Sequence, residues 1–274
     1  MAYESIKNLL DAARAGGYAV GAFNVENAEM AAAVIEAAGE TEQPVILQTT
    51  PSTLRYLPPE CFASMVQSLA SRVRVPIALH LDHGSGFELC IRAFHAGYSG
   101  VMIDGSKLAL DENTVLTKMV VCACGGIPVE GEIGCIGGKE DDTQAAARFT
   151  DPGEAAVFAM ESGLYSLAIA VGTAHGVYAE EPALNYELIK EIRQALPNPL
   201  VLHGASGLSG VQIQKCVAAG ISKVNFATEL RQAYTDGVRD ALGERVYDPK
   251  VYGKSGMERV KNLCIGKILI CKGV

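Results

Sequence analysis

Eight short apolar runs, each followed by a segment of helical periodicity, constrain this chain more than any other feature. They are YAVGAFNV (from 18), PVILQTT (44), PIALHLDH (76), SGVMIDG (99), PVEGEIG (128), SLAIAVG (166), PLVLHGA (199) and KVNFAT (223). Their starts lie roughly 23 to 38 residues apart, the length of a strand, a turn and a helix. Near-continuous apolar strands are those of parallel sheets covered on both faces. Pro44, Pro76, Pro128 and Pro199 open four of them, where a missing N–H costs least. Segments such as NAEMAAAVIEAAGE and ELIKEIRQAL repeat their apolar positions at 3.6 residues. Ser209 and Gly220 bracket one of these helices as N-cap and C-cap.

Eight such units predict an α/β fold of the (β/α)8 TIM barrel type, one domain over 1–274, with a helical extension near 255–270. An open doubly wound sheet is disfavoured because GAFNVENAE carries no glycine fingerprint after the first strand. With 49% apolar residues, the chain can fill the large core a barrel needs. The fifth unit departs from the pattern: GCIGGKEDDTQAAARFTDPGE is polar, too long for a tight turn, and predicts a lid.

Net charge is −8 and no Lys/Arg run exists, so neither nucleic acid nor an anionic membrane is an expected partner. The N-terminus, MAYESIKNLLDAARAGG, has an amphipathic pattern rather than a secretory signal core. The eight cysteines form no CxxC pair and read as reduced structural thiols of a cytoplasmic protein. Cys122 and Cys124, two apart on a helix, point different ways and are poorly placed to share a metal.

Catalytic groups of a barrel sit at the C-terminal ends of its strands. Asn24, Asp82, His83, Asp104, Glu130, Glu132, His175, His203 and Asn225 all fall at or near that rim. Imidazoles converging from neighbouring strands, with a coordination position left open, describe a catalytic zinc site. His83, His175 and His203 are the expected ligands. His80 shares the barrel-facing side of Asp82 and reads as a supporting or packing residue, while His95 lies mid-helix. The first run has no H-x-H pair of the kind barrel hydrolases use. SLAIAVG carries no lysine for a Schiff base, and Lys223 opens the eighth run at the far end. Carbonyl chemistry here would therefore be polarised by a metal, with Asp82 as general acid/base. The turns HGASG and GTAHG, and Thr228 opening the last helix, offer backbone N–H groups to phosphate.

At these residues the sequence resembles the class II fructose-bisphosphate aldolase family. ALHLDHGS, SGVMIDGS, VEGEIGCIGGKEDD, AVGTAHGVY, LVLHGASGL and KVNFATEL match its motifs in order, over nearly the whole chain. The resemblance implies cleavage of a ketose 1,6-bisphosphate to dihydroxyacetone phosphate and glyceraldehyde 3-phosphate. It implies Asp82 as the residue that moves the C4 hydroxyl proton, and Zn2+ on His83, His175 and His203. Asp104 and Glu132 match positions linked to an alternate metal location, and Glu140 matches the base on the dihydroxyacetone phosphate side. Asn24, Gly176, Gly204, Ala205, Ser206, Asn225, Phe226, Ala227 and Thr228 match substrate and phosphate contacts. Gly176, Gly204 and Ser206 also match a monovalent cation site, Na+ or K+. Relatives are homodimers or homotetramers.

Within the family, SLAIAVGTAHG, HGASG and NFATEL resemble the tagatose-1,6-bisphosphate branch, whereas LDHGSGFE is closer to the fructose branch. TTPST replaces the usual GTPGT. Tagatose is favoured; the alternatives are fructose 1,6-bisphosphate, or another phosphorylated ketose or keto-acid. A catalytically silent phosphosugar-binding homologue would be expected to have lost Asp82 or a histidine ligand, and the full set is present.

Overall fold

The computed structural model describes all residues except 1, 141–142, 146–147, 177, 179 and 244–245; the side chains of 138–140 and 143–145 also lie outside the described set. Eleven strands are present among the described residues. They are β1 (Val20–Asn24), β2 (Val45–Thr49), β3 (Ile77–Gly84), β4 (Gly100–Ile103), β5 (Val129–Ile133), β6 (Gly137–Glu140), β7 (Thr143–Ala145), β8 (Ser166–Ile169), β9 (Ala174–His175), β10 (Leu200–Leu202) and β11 (Ile221–Phe226). Eight of them close a parallel barrel in the order β1-β2-β3-β4-β5-β8-β10-β11, and these are the eight apolar runs of the sequence. The fold is a (β/α)8 barrel.

Each proline that opens a run stands immediately before its strand. Lacking an N–H, Pro76, Pro128 and Pro199 still contribute carbonyls, which accept from Val45, Val101 and Leu167 at 3.2, 3.2 and 2.9 Å. The ladder thus starts one residue before the strand without an unpaired donor.

The helices are α1 (Ile6–Gly16), α2 (Ala28–Thr41), α3 (Pro51–Tyr56), α4 (Pro59–Ala70), α5 (Phe87–Ala96), α6 (Leu110–Ala123), α7 (Pro152–Ser162), α8 (Tyr186–Ala195), α9 (Gly210–Ala219), α10 (Thr228–Ala241) and α11 (Pro249–Lys272). Ser209 caps α9 as the sequence predicts, its hydroxyl accepting from Gln212 N, and Gly220 ends it with φ 129°. The amphipathic N-terminal segment forms α1. Its apolar stripe of Ile6, Leu9, Leu10 and Ala13 closes the floor of the barrel against Val20, Ala22, Ile46 and Ala78. Full burial of side chains such as Leu10 and Ile46 contributes about 1.5–3 kcal/mol each. The C-terminal helix is longer than the expected 255–270, and α11 packs on α2 and α10 rather than standing away from the barrel.

The long fifth loop contains more structure than a lid of coil. Its backbone forms the antiparallel pair β6–β7, and β6 runs parallel to β9, with Gly137 opposite Ala174 and Gly138 opposite His175. This small sheet fastens the loop beside a rim histidine. Among the described residues no helix is long and apolar enough to cross a membrane. All eight cysteines are free thiols, with Cys122 exposed and Cys124 buried on opposite sides of α6 and its end.

Candidate active site

Regular strand alternation cannot place two consecutive side chains on one face, yet Asp82 and His83 line the same cleft. Their strand solves this with an irregularity. The register of β3 against β4 shifts between Leu81 and Gly84, and His83 adopts φ 48°, in the left-handed region that β-branched and bulky residues avoid. Such a backbone costs about 1–2 kcal/mol. Gly84 makes the shift possible: a Cβ there would lie 2.3 Å from the Met102 carbonyl oxygen.

Asp82 is 3% exposed, and each of its oxygens accepts a hydrogen bond from an amide. Asn24 Nδ2 donates to its Oδ2 at 2.9 Å and Asn225 Nδ2 to its Oδ1 at 3.2 Å. Asn24 is in turn fixed by Gln48, whose Nε2 donates to Asn24 Oδ1 at 2.9 Å. Gln48 was missed by the sequence reading. A lone amide inside the apolar run VILQT, two residues after inward-facing Ile46, was the available signal.

The three rim histidines meet. Ring centroids of His83 and His203 lie 4.7 Å apart, His83 and His175 5.0 Å, and His175 and His203 5.9 Å. One nitrogen of each falls within 4.8 Å of the others. A second group of three, His83, Asp104 and Glu132, shares His83 with the first. Both sets expected from the sequence are therefore brought together.

Two of the rings are aimed from behind. His83 Nδ1 lies 2.8 Å from Asp104 Oδ2, and Asp104 is itself held by Ser106, whose N and Oγ donate to Oδ1 at 3.0 and 2.7 Å. His203 Nε2 lies 2.9 Å from Glu130 Oε1. With those nitrogens donating to carboxylates, His83 Nε2 and His203 Nδ1 present lone pairs to each other at 2.9 Å. Facing lone pairs at that distance are unfavourable unless a cation or a single proton lies between them. The donor set therefore fits a soft-to-borderline divalent metal, and the carboxylate–histidine pairs are the usual outer support of such ligands.

The titration behaviour is consistent with this arrangement. Burial opposes charge on His83, but Asp82 and Asp104 beside it raise its pKa well above the usual histidine value. Burial and the neighbouring His83 hold His175 and His203 well below it. Asp104 is buried, yet its bonds to His83 keep its carboxyl low. Burial, followed by the Asp104 charge, pushes Glu132 up to about 8, and its Oε2 is buried without a hydrogen-bond partner.

Asn24, Asp82, His83, His175, Gly176, His203, Gly204, Ser206, Asn225, Ala227 and Thr228 surround an open cleft. Gly204 has φ 66°, and a Cβ there would meet the Ala174 carbonyl oxygen at 2.6 Å, so the two glycine turns approach backbone to backbone. Ser206 Oγ accepts from Ala227 N at 3.1 Å, tying the HGASG turn to the start of α10. No side chain caps α10, which leaves its first N–H groups for an anion.

Three expectations are corrected or fall outside the picture. Ala205 and Phe226 are fully buried in the core, with Phe226 stacked on Phe23 at 5.5 Å, so their side chains do not line the cleft. Alternation places Phe226 opposite Asn225 and was the signal for this. The side chain of Glu140 lies outside the described residues. Lys223 does not open β11 at the far end; the strand begins at Ile221, and Lys223 points into the barrel with its Nζ 2.8 Å from Glu130 Oε2. It shares parity with Asn225, so the expectation of a barrel interior without lysine is wrong.

Comparison with known proteins agrees with the geometry. Residues 4–273 match the family described as fructose-bisphosphate aldolase class-II. The crystal structure of the YdjI aldolase from Escherichia coli K12 is similar at 36% identity and TM-score 0.88, covering 98% of this chain and 97% of that one. A fructose-bisphosphate aldolase from Campylobacter jejuni is similar at 26% identity and TM-score 0.84, covering 98% and 95%. A complete barrel, a rim of three convergent histidines beside a buried aspartate, and a match over almost the whole sequence lead to one assignment: the chain belongs to the class-II fructose-bisphosphate aldolase family and is an aldolase, a lyase.

Proposed function

We propose that the chain is a zinc-dependent aldolase that cleaves a ketose 1,6-bisphosphate, with tagatose 1,6-bisphosphate favoured, to dihydroxyacetone phosphate and glyceraldehyde 3-phosphate. The observation that carries this reading is the placement of His83, His175 and His203, one nitrogen of each within 4.8 Å of the others, beside Asp82. Bound there, Zn2+ supplies Lewis-acid polarisation of the substrate carbonyl. Asp82, oriented by Asn24 and Asn225, takes the C4 hydroxyl proton as the C3–C4 bond breaks. Glu140 returns a proton to C3 of the dihydroxyacetone phosphate product. The uncapped start of α10 at Thr228 holds phosphate together with Gly176, Gly204 and Ser206, which line the cleft; in this reading Gly176, Gly204 and Ser206 also bind a monovalent cation, Na+ or K+. Asp104 and Glu132, with His83, provide the alternate metal position.

The same reading carries one domain over 1–274, a homodimer or homotetramer, and a cytoplasmic location in which the eight thiols stay reduced. A second substrate, fructose 1,6-bisphosphate, is favoured by one observation: LDHGSGFE, the segment closer to the fructose branch, carries Gly84 at a point where no side chain fits. The test is kcat/KM for both sugar bisphosphates on the zinc-loaded protein in a coupled assay. A higher value for tagatose supports the reading, and a higher value for fructose replaces it with the second. Cleavage of neither would transfer the activity to another phosphorylated ketose or keto-acid.

A further inference from the structure

Beneath the cleft, the barrel buries a full positive charge that the aldol reaction does not use. Lys223 is 0% exposed, and its Nζ lies 2.8 Å from Glu130 Oε2. Glu130 is 1% exposed and divides its oxygens: Oε2 faces Lys223, while Oε1 faces His203 Nε2 at 2.9 Å. A buried ion pair is seldom a net source of stability, because desolvation offsets its attraction. Its position directly behind a rim histidine suggests a different use.

The choice of tautomer at His203 decides what that ring can bind. If Nε2 carries the proton, Nδ1 offers its lone pair toward His83 Nε2, 2.9 Å away. If Nδ1 carries it, the ring presents a donor to that point and cannot ligate a metal there. Among the described residues, two polar side-chain atoms lie within hydrogen-bond reach of Nε2: Glu130 Oε1 at 2.9 Å and Asn225 Nδ2 at 3.2 Å. The Asn225 amide nitrogen is a donor, engaged with Asp82, so it cannot take the Nε2 proton. Glu130 is the acceptor, and its orientation is set from the other side by Lys223 and by Ser166 Oγ, which donates to Oε2 at 3.4 Å.

We propose that Lys223, acting through Glu130, is a positioning residue that locks His203 in the tautomer whose Nδ1 faces the metal-binding point. This rests on the zinc reading given above. Lys223 has donors only, so it also dictates which way a neutral replacement for Glu130 must turn. In Glu130→Gln the amide oxygen goes to Lys223 and the NH2 group faces His203 Nε2, which drives the ring proton to Nδ1. Removing Lys223 as well lets the amide turn and accept from Nε2 again.

The experiment compares Zn2+ dissociation constants, from chelator competition, with thermal midpoints for the wild type and three variants. Glu130→Gln with Lys223→Met and Glu130→Leu with Lys223→Met both lack the buried charges and fold without an unpaired ion. They differ in whether an acceptor for His203 remains. The Gln-containing pair should bind Zn2+ about 10–100-fold more tightly than the Leu-containing pair, the usual range for outer-shell partners of metal ligands. It should also bind more tightly than the single variant Glu130→Gln, although it has lost one more native side chain. Equal affinities across these variants, with stability alone changing, would overturn the positioning role. A wild-type protein that holds no Zn2+ at all would instead overturn the reading of the site beneath it.

Discussion

On β1, β2 and β3 the floor of the barrel is built from Val20, Ala22, Ile46 and Ala78, packed on Ile6, Leu9, Leu10 and Ala13 of α1. Moving up the same strands in steps of two, the inward positions become Asn24, Gln48, His80 and Asp82, all buried and all polar. None of these eight floor side chains carries a polar group to satisfy. At the rim, Gln48 Oε1, Glu132 Oε2 and Asn225 Oδ1 are buried without hydrogen-bond partners, each at a cost of about 1–3 kcal/mol. His83 adds a left-handed backbone. The comparison teaches that one set of strands performs two tasks. The apolar floor supplies stability that the rim consumes to hold unpaired lone pairs and carboxylates at fixed positions.

The largest effect should come from the rim. Prolonged chelation should abolish cleavage, and added Zn2+ should restore it. Borohydride with substrate should leave Lys223 unmodified by mass spectrometry despite its place inside the barrel, because its Nζ is sealed and paired with Glu130. Activity that survives chelation would break the assignment of metal chemistry to the histidine cluster.

Asp82→Asn should lower kcat by about 10²–10⁴-fold, the range for a positioned general acid/base, while zinc content stays at the wild-type level. Loss of zinc in that variant would move Asp82 into the ligand set. At the floor the pattern should invert. Leu10→Ala should cost about 2–5 kcal/mol in denaturant unfolding and leave kcat/KM on the remaining folded protein close to wild type. A large kinetic defect there would show that the two ends are not separable. The smallest effect is expected at Ser206→Ala, which removes the bond to Ala227 N and should cost about 1 kcal/mol. It should appear mainly as a higher KM for the bisphosphate, with kcat little changed; the reverse split would argue against a phosphate-holding role for that turn.

Much of this contrast was legible in the sequence. Apolar runs of the right length predicted all eight barrel strands, because parallel strands buried on both faces leave a continuous apolar signature. The rim residues were legible because a barrel places strand ends together whatever their distance along the chain. Gln48 and Ser106 were not found, since each looks like an ordinary strand or turn residue until its partner is known. The pairing of β6 with β9 was also hidden, because GGKE and AH carry no strand signature and are held by a backbone neighbour from a distant part of the chain.

The sequence by itself determined the eightfold βα repeat, the amphipathic pattern of the N-terminal segment and the gathering of His83, His175 and His203 at one end. These follow from local periodicity and the closure rule. Only the tertiary structure decided that Asp82 and His83 face the same cleft, because the register shift in β3 depends on how β4 lies against it. It likewise decided that Lys223 reaches Glu130 across the barrel and so stands behind His203. Both are relations between strands, and a periodicity of two along one strand carries no information about the register of its neighbour.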